Sequence, residues 1–201
     1  MAPAYQAKGG GIFEAVENLS NSQSKSKKNL VDILCLEAFN GASHSSKTIY
    51  SLFPSRLTQV LLVYKTIIFL FKRVYKYDIV HIHGAWSFQL LLIVPFILFC
   101  KKKVIYQPHG LLCPIRMEKS RMIKKLAWLI YQRYFLLFSK NIVCCSNREK
   151  KDVLFILPKS KKIEVIPNGL DETFFIKKST NIQRNNRFIF FSQIIPIKNL
   201  E

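Results

Sequence analysis

The sequence predicts an α/β fold built on a parallel β-sheet. Residues 78–84 and 104–110 are two strand-like apolar runs, and each ends in histidine and glycine. Residues 86–100 lie between them as an almost wholly apolar run of helical length. A strand, a helical crossover and a second strand make a βαβ unit, in which the two strands are parallel neighbours in one sheet. The apolar fraction of 49% is enough to cover such a sheet on its faces.

The two histidines that close these strands are candidate site residues. His83 ends the first strand and His109 ends the second, each directly before a glycine. Ligands of open α/β sheets bind beyond the carboxyl ends of the strands, which is where these side chains are expected. A structural role at a strand end is the alternative for both. We expect His81 to face away from His83 by strand alternation and to be structural.

The chain before this unit begins with a loop that ends in Gly9, Gly10 and Gly11. Residues 12–20 are then predicted to form an amphipathic helix. A glycine-rich turn before a helix can bind an anion, because its backbone N–H groups are free and the helix dipole favours negative charge. A flexible terminal loop is the alternative.

Apolar patterning places the other elements. Residues 40–55 and 111–119 are predicted loops, and 21–29 a polar connection. Residues 57–77 are a predicted helix that covers the sheet with a basic outer face, or else lies at a membrane interface. Ser146 and Glu149 form a capping-box pattern at the start of a helix. The remaining predicted strands are 30–36, 141–145, 163–166 and 187–192, and the remaining predicted helices are 120–138 and 147–157.

Charge and cysteine content narrow the function classes. The formal net charge of +19 favours partners that carry negative charge, such as nucleic acid, an anionic membrane or phosphate-bearing substrates, and a solvated surface in a lysine-rich proteome is the alternative. The five cysteines are odd in number and show no CxxC spacing, so reduced thiols are expected rather than disulfides or a zinc site. No signal peptide is expected. Residues 86–100 contain Gln89 and Pro95 and are too short for a membrane span of roughly 18 residues, so a buried core helix is predicted.

Five stretches, in this order, resemble the N-terminal half of a retaining GT-B glycosyltransferase of the family 4 type, the group that builds bacterial lipopolysaccharide, capsule and exopolysaccharide. They are residues 2–19 with the triple glycine, DIVHIHGAWS at 78–87, QPHG at 107–110, SNREKKDV at 146–153, and IPNGLD at 166–171.

The resemblance implies a Rossmann-like parallel sheet with helices on both faces, as the acceptor-side half of a two-domain enzyme. It implies a nucleotide-sugar donor, a glycan or lipid-linked acceptor, and no cofactor or catalytic metal. His109 would face the transferred sugar as the catalytic residue. The other substrate contacts that it implies are Gly9, Gly10, Gly11, His83, Gly110 and Glu149, with Lys198 at the donor phosphates.

The same resemblance divides the chain into an N-terminal domain at 1–176, a linker at 177–186 and the start of a nucleotide-sugar-binding domain at 187–201. The family's first strand, which is central in its sheet, has no counterpart, so a gap in the core is expected. Gln193 stands where the family has an arginine. We therefore expect a fragment that is inactive as the isolated chain.

The expected location is cytoplasmic, and peripheral on the inner face of the cell membrane, because the basic excess suits an anionic surface. A basic module that binds nucleic acid or an anionic membrane without catalysis is the alternative, although the lysines are scattered and no nucleic-acid-binding motif is found. A third hypothesis is a non-catalytic partner that supplies half of an enzyme in trans.

Overall fold

The computed structural model describes residues 11–26, 29–35, 49–51, 59–87, 90–118, 120–157 and 162–170. These residues form seven α-helices and six β-strands. The helices are α1 Gly11–Lys25, α2 Gln59–Arg73, α3 Leu90–Phe99, α4 Pro114–Glu118, α5 Arg121–Ala127, α6 Arg133–Phe138 and α7 Asn147–Ile156. The strands are β1 Ile33–Cys35, β2 Ile49–Ser51, β3 Ile79–His83, β4 Lys103–Gln107, β5 Asn141–Cys144 and β6 Ile163–Val165.

Four of the strands form one parallel sheet in the order β3-β4-β5-β6. Ile79 to His83 pair in parallel register with Lys103 to Gln107, which confirms the predicted βαβ unit. Because β3, β4 and β5 are parallel, their carboxyl ends meet at one edge of the sheet. The strands lie in the sheet in the same order as in the sequence, so the loops that follow β3, β4 and β5 are neighbours at this edge.

Helix α3 is part of the core. Leu90, Ile93, Val94 and Ile97 are at most 2% exposed and belong to the main apolar cluster. The prediction of a buried core helix in residues 86–100 is thus confirmed. Within the described segments, no helix combines the length and the apolar character needed to cross a bilayer.

The segment before β3 departs from the predictions in two places. β2 lies inside the predicted loop 40–55 and pairs in parallel with β1, forming a separate two-stranded sheet. Helix α1 continues to Lys25, so the predicted connection at 21–29 is wrong over its first half. The Ser20 hydroxyl donates to the Glu17 carbonyl and the Ser24 hydroxyl to the Ser20 carbonyl, so both serines are satisfied within the helix.

A cavity of about 500 Å³ lies where α1, β1 and β3 meet. Its walls include Leu19 of α1, Leu34 of β1 and Val80 of β3. The cavity therefore borders both sheets.

The predicted helix 120–138 forms as α5 and α6 joined by a π-helical turn, Trp128–Gln132. The short helix α4 precedes it in the predicted loop 111–119. The chain divides into two compact units, Met1–Gly169 and Leu170–Glu201. The predicted linker at 177–186 and the strand at 187–192 lie outside the described residues.

Candidate functional site

The loops beyond β3 and β4 adopt unusual backbone conformations at the carboxyl edge of the sheet. Gly84 and Trp86 follow β3 with φ of 90° and 67°, while His109 and Gly110 follow β4 with φ of 54° and 70°. A positive φ is uncommon for residues other than glycine and persists only where surrounding contacts impose it. Trp86 and His109 are therefore held in place by their neighbours.

Hydrogen bonds join these two loops to each other and to the core. The Gly84 N–H donates to the Gln107 carbonyl at 2.8 Å. The Trp86 backbone N–H donates to Oε1 of Gln132 at 3.1 Å, and its indole N–H donates to the Leu111 carbonyl at 2.8 Å. Gln132 is fully buried and donates in turn to the Tyr106 hydroxyl at 2.8 Å. The β3 loop is thus anchored to β4 and to the π-helical turn.

Glu149 joins the loops beyond β4 and β5. Its carboxylate is 5% exposed, with Oε1 accepting from the Gly110 N–H and Oε2 from the Cys145 N–H, both at 2.6 Å. The hydroxyl of Ser146 accepts from the Glu149 N–H at 3.2 Å, as the capping-box pattern predicts. The glutamate side chain, however, extends to the neighbouring loop instead of to the N-cap. In this structure it fixes two backbone amides.

His109 lies between His83 and Cys145. Nε2 of His109 is 2.9 Å from Nδ1 of His83, and its Nδ1 is 3.6 Å from Sγ of Cys145. His83 is 4% exposed, whereas His109 is only partly covered. His83 therefore lies beneath His109 and supports its ring from the buried side.

The prediction that His81 faces away from His83 is wrong. The two ring centroids are 3.9 Å apart. Residues separated by two positions in a strand point to the same face, so strand alternation itself places these rings together. His81, His83 and His109 form one histidine cluster.

Three polar residues that were not predicted from the sequence, Gln107, Cys145 and Asn168, complete the site. Nε2 of Gln107 donates to Sγ of Cys145 at 3.4 Å and to Oδ1 of Asn168 at 3.5 Å. The Cys145 thiol donates to the same Asn168 oxygen at 3.3 Å. Gln107 and Asn168 lie in the QPHG and IPNG stretches, which offered a signal for both. The sequence Pro167-Asn168-Gly169 predicts a tight turn, because Asn and Gly tolerate positive φ, but neither Asn168 nor Gly169 has positive φ in the structure, so that reason is wrong.

Burial keeps the three histidines and the Cys145 thiol uncharged at neutral pH. It lowers the pKa of His109 to about 4 and that of His81 to about 3, and it moves the pKa of His83 well below its usual value. Burial also raises the pKa of the Cys145 thiol. A neutral imidazole has one N–H donor and one acceptor nitrogen. Donation from His83 N–H to His109, from His109 N–H to Cys145 and from the thiol to Asn168 is one sequence of hydrogen bonds that agrees with these contacts.

The structure brings together His83, His109, Gly110 and Glu149. Gly11 is the exposed first residue of α1, and a Cβ at this position would meet no atom within 4 Å. Gly9, Gly10 and Lys198 lie outside the described residues. Among those that are described, no group of three or more histidine, cysteine or acidic side chains could hold a metal ion. The four cysteines whose side chains the structure describes, Cys100, Cys113, Cys144 and Cys145, are free thiols.

The family model of Glycosyltransferase Family 4 matches residues 9–174, most of the chain and all of the strand-end cluster. The chain belongs to Glycosyltransferase Family 4. This confirms the resemblance carried by the five sequence stretches. A comparison with curated proteins finds no significant match.

Solved structures give the same fold for this family 4 chain. HepE of Anabaena, determined in complex with UDP and glucose, aligns with a TM-score of 0.57 at 17% identity, over 89% of this chain and 46% of HepE. Sucrose-phosphate synthase from Thermosynechococcus elongatus aligns with a TM-score of 0.50 at 14% identity, over 84% of this chain and 87% of that chain. At these identities the likeness establishes the fold, a Rossmann-like half of a GT-B enzyme. The family 4 chain spans less than half of HepE.

Proposed function

We propose that this chain forms the acceptor-side half of a retaining glycosyltransferase. The reaction moves a sugar from a nucleotide-sugar to a glycan or lipid-linked acceptor in bacterial surface polysaccharide synthesis. Family membership supports the transferase class. The HepE structure, which holds UDP and glucose, supports a nucleotide-sugar as the donor.

One observation carries this proposal: His109 is fixed in a left-handed conformation at the carboxyl end of β4, with partners on both ring nitrogens. Strain of this kind is concentrated at functional sites. A neutral His109 can exchange its 3.6 Å contact with Cys145 for a hydrogen bond with a sugar hydroxyl, because an imidazole nitrogen and a hydroxyl can each donate or accept. In this proposal a sugar hydroxyl takes the place of Cys145 Sγ beside Nδ1 of His109, while Nε2 keeps its bond with His83.

The neighbouring groups then act as positioning residues. His83 holds the ring plane of His109 from below, and Glu149 holds Gly110, the next residue along the chain. The predicted substrate contacts of His83, Gly110 and Glu149 stay predictions. For Glu149, the two amide bonds favour positioning, since each of its oxygens already accepts a hydrogen bond.

The donor side is proposed from sequence alone. Gly9, Gly10 and Gly11 would approach the donor phosphates and the acceptor, and Lys198 would neutralise the diphosphate. No metal or cofactor is assigned to the reaction. Because these 201 residues align with only 46% of HepE, we expect the isolated chain to bind an acceptor glycan but not to transfer a sugar from a nucleotide-sugar.

We also propose that the partner surface is an anionic membrane on its cytoplasmic side. The net charge of +19 supports this, since basic surfaces are attracted to anionic lipid. A lipid-linked acceptor would be found there.

Two measurements test the transferase proposal. Release of nucleotide from a panel of UDP- and GDP-sugars should be absent with the purified 201-residue chain. Saturation-transfer NMR should detect binding of bacterial oligosaccharides. The affinity should fall about tenfold in His109→Asn, because the variant loses about one hydrogen bond between uncharged groups in a partly buried site. Asparagine is chosen because it tolerates positive φ.

Lys25→Gln, at the exposed end of α1, is the control and should bind as the wild type does. Nucleotide release by the isolated chain would overturn the expected inactivity. Oligosaccharide binding that is equal in His109→Asn and the wild type would overturn the role of His109.

A further inference from the structure

The helical segment from α5 to α6 exposes a row of large apolar side chains. Eight of them are between 42% and 79% exposed. They are Met122, Ile123, Leu126, Leu129, Ile130, Tyr134, Leu137 and Phe138. An apolar surface of this extent on one element marks an interaction site rather than scattered surface residues.

The exposed row follows one face of the helix. Its members recur at spacings of three and four, as in Met122, Leu126, Ile130 and Tyr134, and residues so spaced are neighbours on a helix surface. The opposite face packs into the core through Tyr131, Gln132, Phe135 and Leu136, whereas α5 has no buried residue. The core therefore covers one side of the segment from Tyr131 onward, and the apolar row on the other side is exposed.

Positive charge accompanies this row. Residues 120–140 contain five basic residues and no acidic one. Arg121 and Lys125 are exposed and lie one turn apart beside the row, and Arg133 is exposed within it. Long basic side chains can keep their charge at a polar surface while their stems lie along apolar surroundings.

We propose that this face, from Met122 to Phe138, is the surface that docks on an anionic lipid bilayer. The assignment rests on the membrane partner proposed above and adds which element makes the contact. A helix with an exposed apolar face and basic flanks lies in the plane of the interface, with its apolar side chains at the acyl boundary. The cations then face the lipid phosphates.

Charge favours a membrane over a second copy of the chain. A two-fold dimer through this row would set the same basic patch against itself. Anionic lipid supplies the opposite charge and also takes up the apolar side chains, which a nucleic-acid backbone does not.

The docking face adjoins the candidate site. Helices α4 and α5 follow directly from the loop that carries His109 and Gly110. The Lys124 ammonium lies 5.7 Å from the ring centroid of Trp86, in the loop beyond β3. A bilayer beneath this helix would therefore lie next to the strand-end loops, where a lipid-linked acceptor could reach His109.

Matched variants of the full chain test the assignment by co-sedimentation with vesicles of phosphatidylglycerol and phosphatidylcholine, and of phosphatidylcholine alone. Leu126→Ser should lower the partition coefficient about tenfold, because the transfer of a leucine side chain out of water favours membrane association by about that factor. Lys125→Gln should lower it about fivefold, the effect of one charge near an anionic surface. Leu30→Ser and Lys25→Gln change equally exposed residue types elsewhere and should bind as the wild type does.

The outcomes separate the two proposals. If the wild type fails to bind anionic vesicles, the proposed membrane partner is wrong. If the wild type binds but Leu126→Ser and Lys125→Gln bind equally well, the membrane partner stands and the docking face is wrong. Equal binding to neutral vesicles, or a wild-type dimer that Leu126→Ser dissociates, would also overturn the anionic-lipid assignment.

Discussion

The two sheets of this chain are held together in different ways. At the carboxyl edge of β3 to β5, side chains bond to the backbone of neighbouring loops, as Glu149 does to Gly110 and Cys145. The β1–β2 pair has only three residues in each strand, and β1 borders a cavity of about 500 Å³. The Tyr77 hydroxyl donates to Asp32 at 2.5 Å and links this region to β3.

This difference shows which part of the fold is held in a single conformation. Unpaired polar groups are costly in a low dielectric, so loops whose buried polar groups are all hydrogen-bonded are held in one conformation. Residues that border a cavity make fewer van der Waals contacts, so their positions are less tightly constrained. The candidate site is therefore rigid on its β4–β5 side, and the α1–β1 side is the part that a ligand or partner can still adjust.

Removing the carboxylate of Glu149 should have the largest effect. Glu149→Ala leaves the N–H groups of Gly110 and Cys145 without their acceptor, at about 1–3 kcal/mol for each such group. The free energy of unfolding should fall by about 3–5 kcal/mol, measured by urea denaturation. Glu149→Gln keeps one acceptor oxygen and should lose about half as much.

Glu164→Ala is the matched control for this change. Glu164 forms an exposed pair with Lys162 at 3.1 Å, and such pairs contribute less than about 1 kcal/mol. If both glutamate variants lose the same stability, the carboxylate of Glu149 does not hold the edge together.

Acid should weaken the same edge through its histidines. Burial lowers the pKa of His109 to about 4, below the value of about 6.5 in an unfolded chain. Between these values the unfolded state binds more protons, so stability falls as the pH falls. His109 alone should contribute about 2 kcal/mol of the loss between pH 7 and pH 4.5.

Comparison with His109→Asn isolates this contribution, because asparagine accepts positive φ and does not titrate in this range. Urea denaturation of both proteins at the two pH values gives the difference. A wild-type loss no larger than that of the variant would mean that His109 is not held neutral by burial.

The fold was predictable from sequence wherever a long apolar run is buried in the structure. The runs of β3, β4 and α3 are continuously apolar, so their lengths separate strands from a helix, and the parallel pairing followed from their order. β2 was missed because a strand of three residues is too short to show a pattern. The extent of α1 was missed because Ser20, Asn21 and Ser24 have side chains that also suit turns.

From the residues alone, the site was predictable only where a strand end marks it. His83 and His109 could be selected because they end parallel strands, whereas Gly110 and Glu149 were named only because the family resemblance implies them. Asn168 reaches Cys145 across 23 residues of chain, a contact that no local pattern encodes. The exposed row on α5 and α6 was also not predicted, because a sequence pattern does not show which of two apolar helix faces the core will cover.

A pair of glycines gives the smallest and most direct comparison of the two regions. Gly110 has φ of +70° at the bonded edge, where an L side chain is strained by about 1–2 kcal/mol. Gly11 begins α1, without positive φ and with open space around a Cβ. Gly110→Ala should therefore destabilise by about 1 kcal/mol, while Gly11→Ala should stabilise by about 0.5 kcal/mol, because it restricts the unfolded chain without strain. Urea denaturation at pH 7 measures both changes in the free energy of unfolding.

If Gly110→Ala is more stable than the wild type, the backbone at the carboxyl edge can adjust, which would contradict the rigidity inferred from Glu149. If Gly11→Ala is less stable than the wild type, the start of α1 is as constrained as that edge.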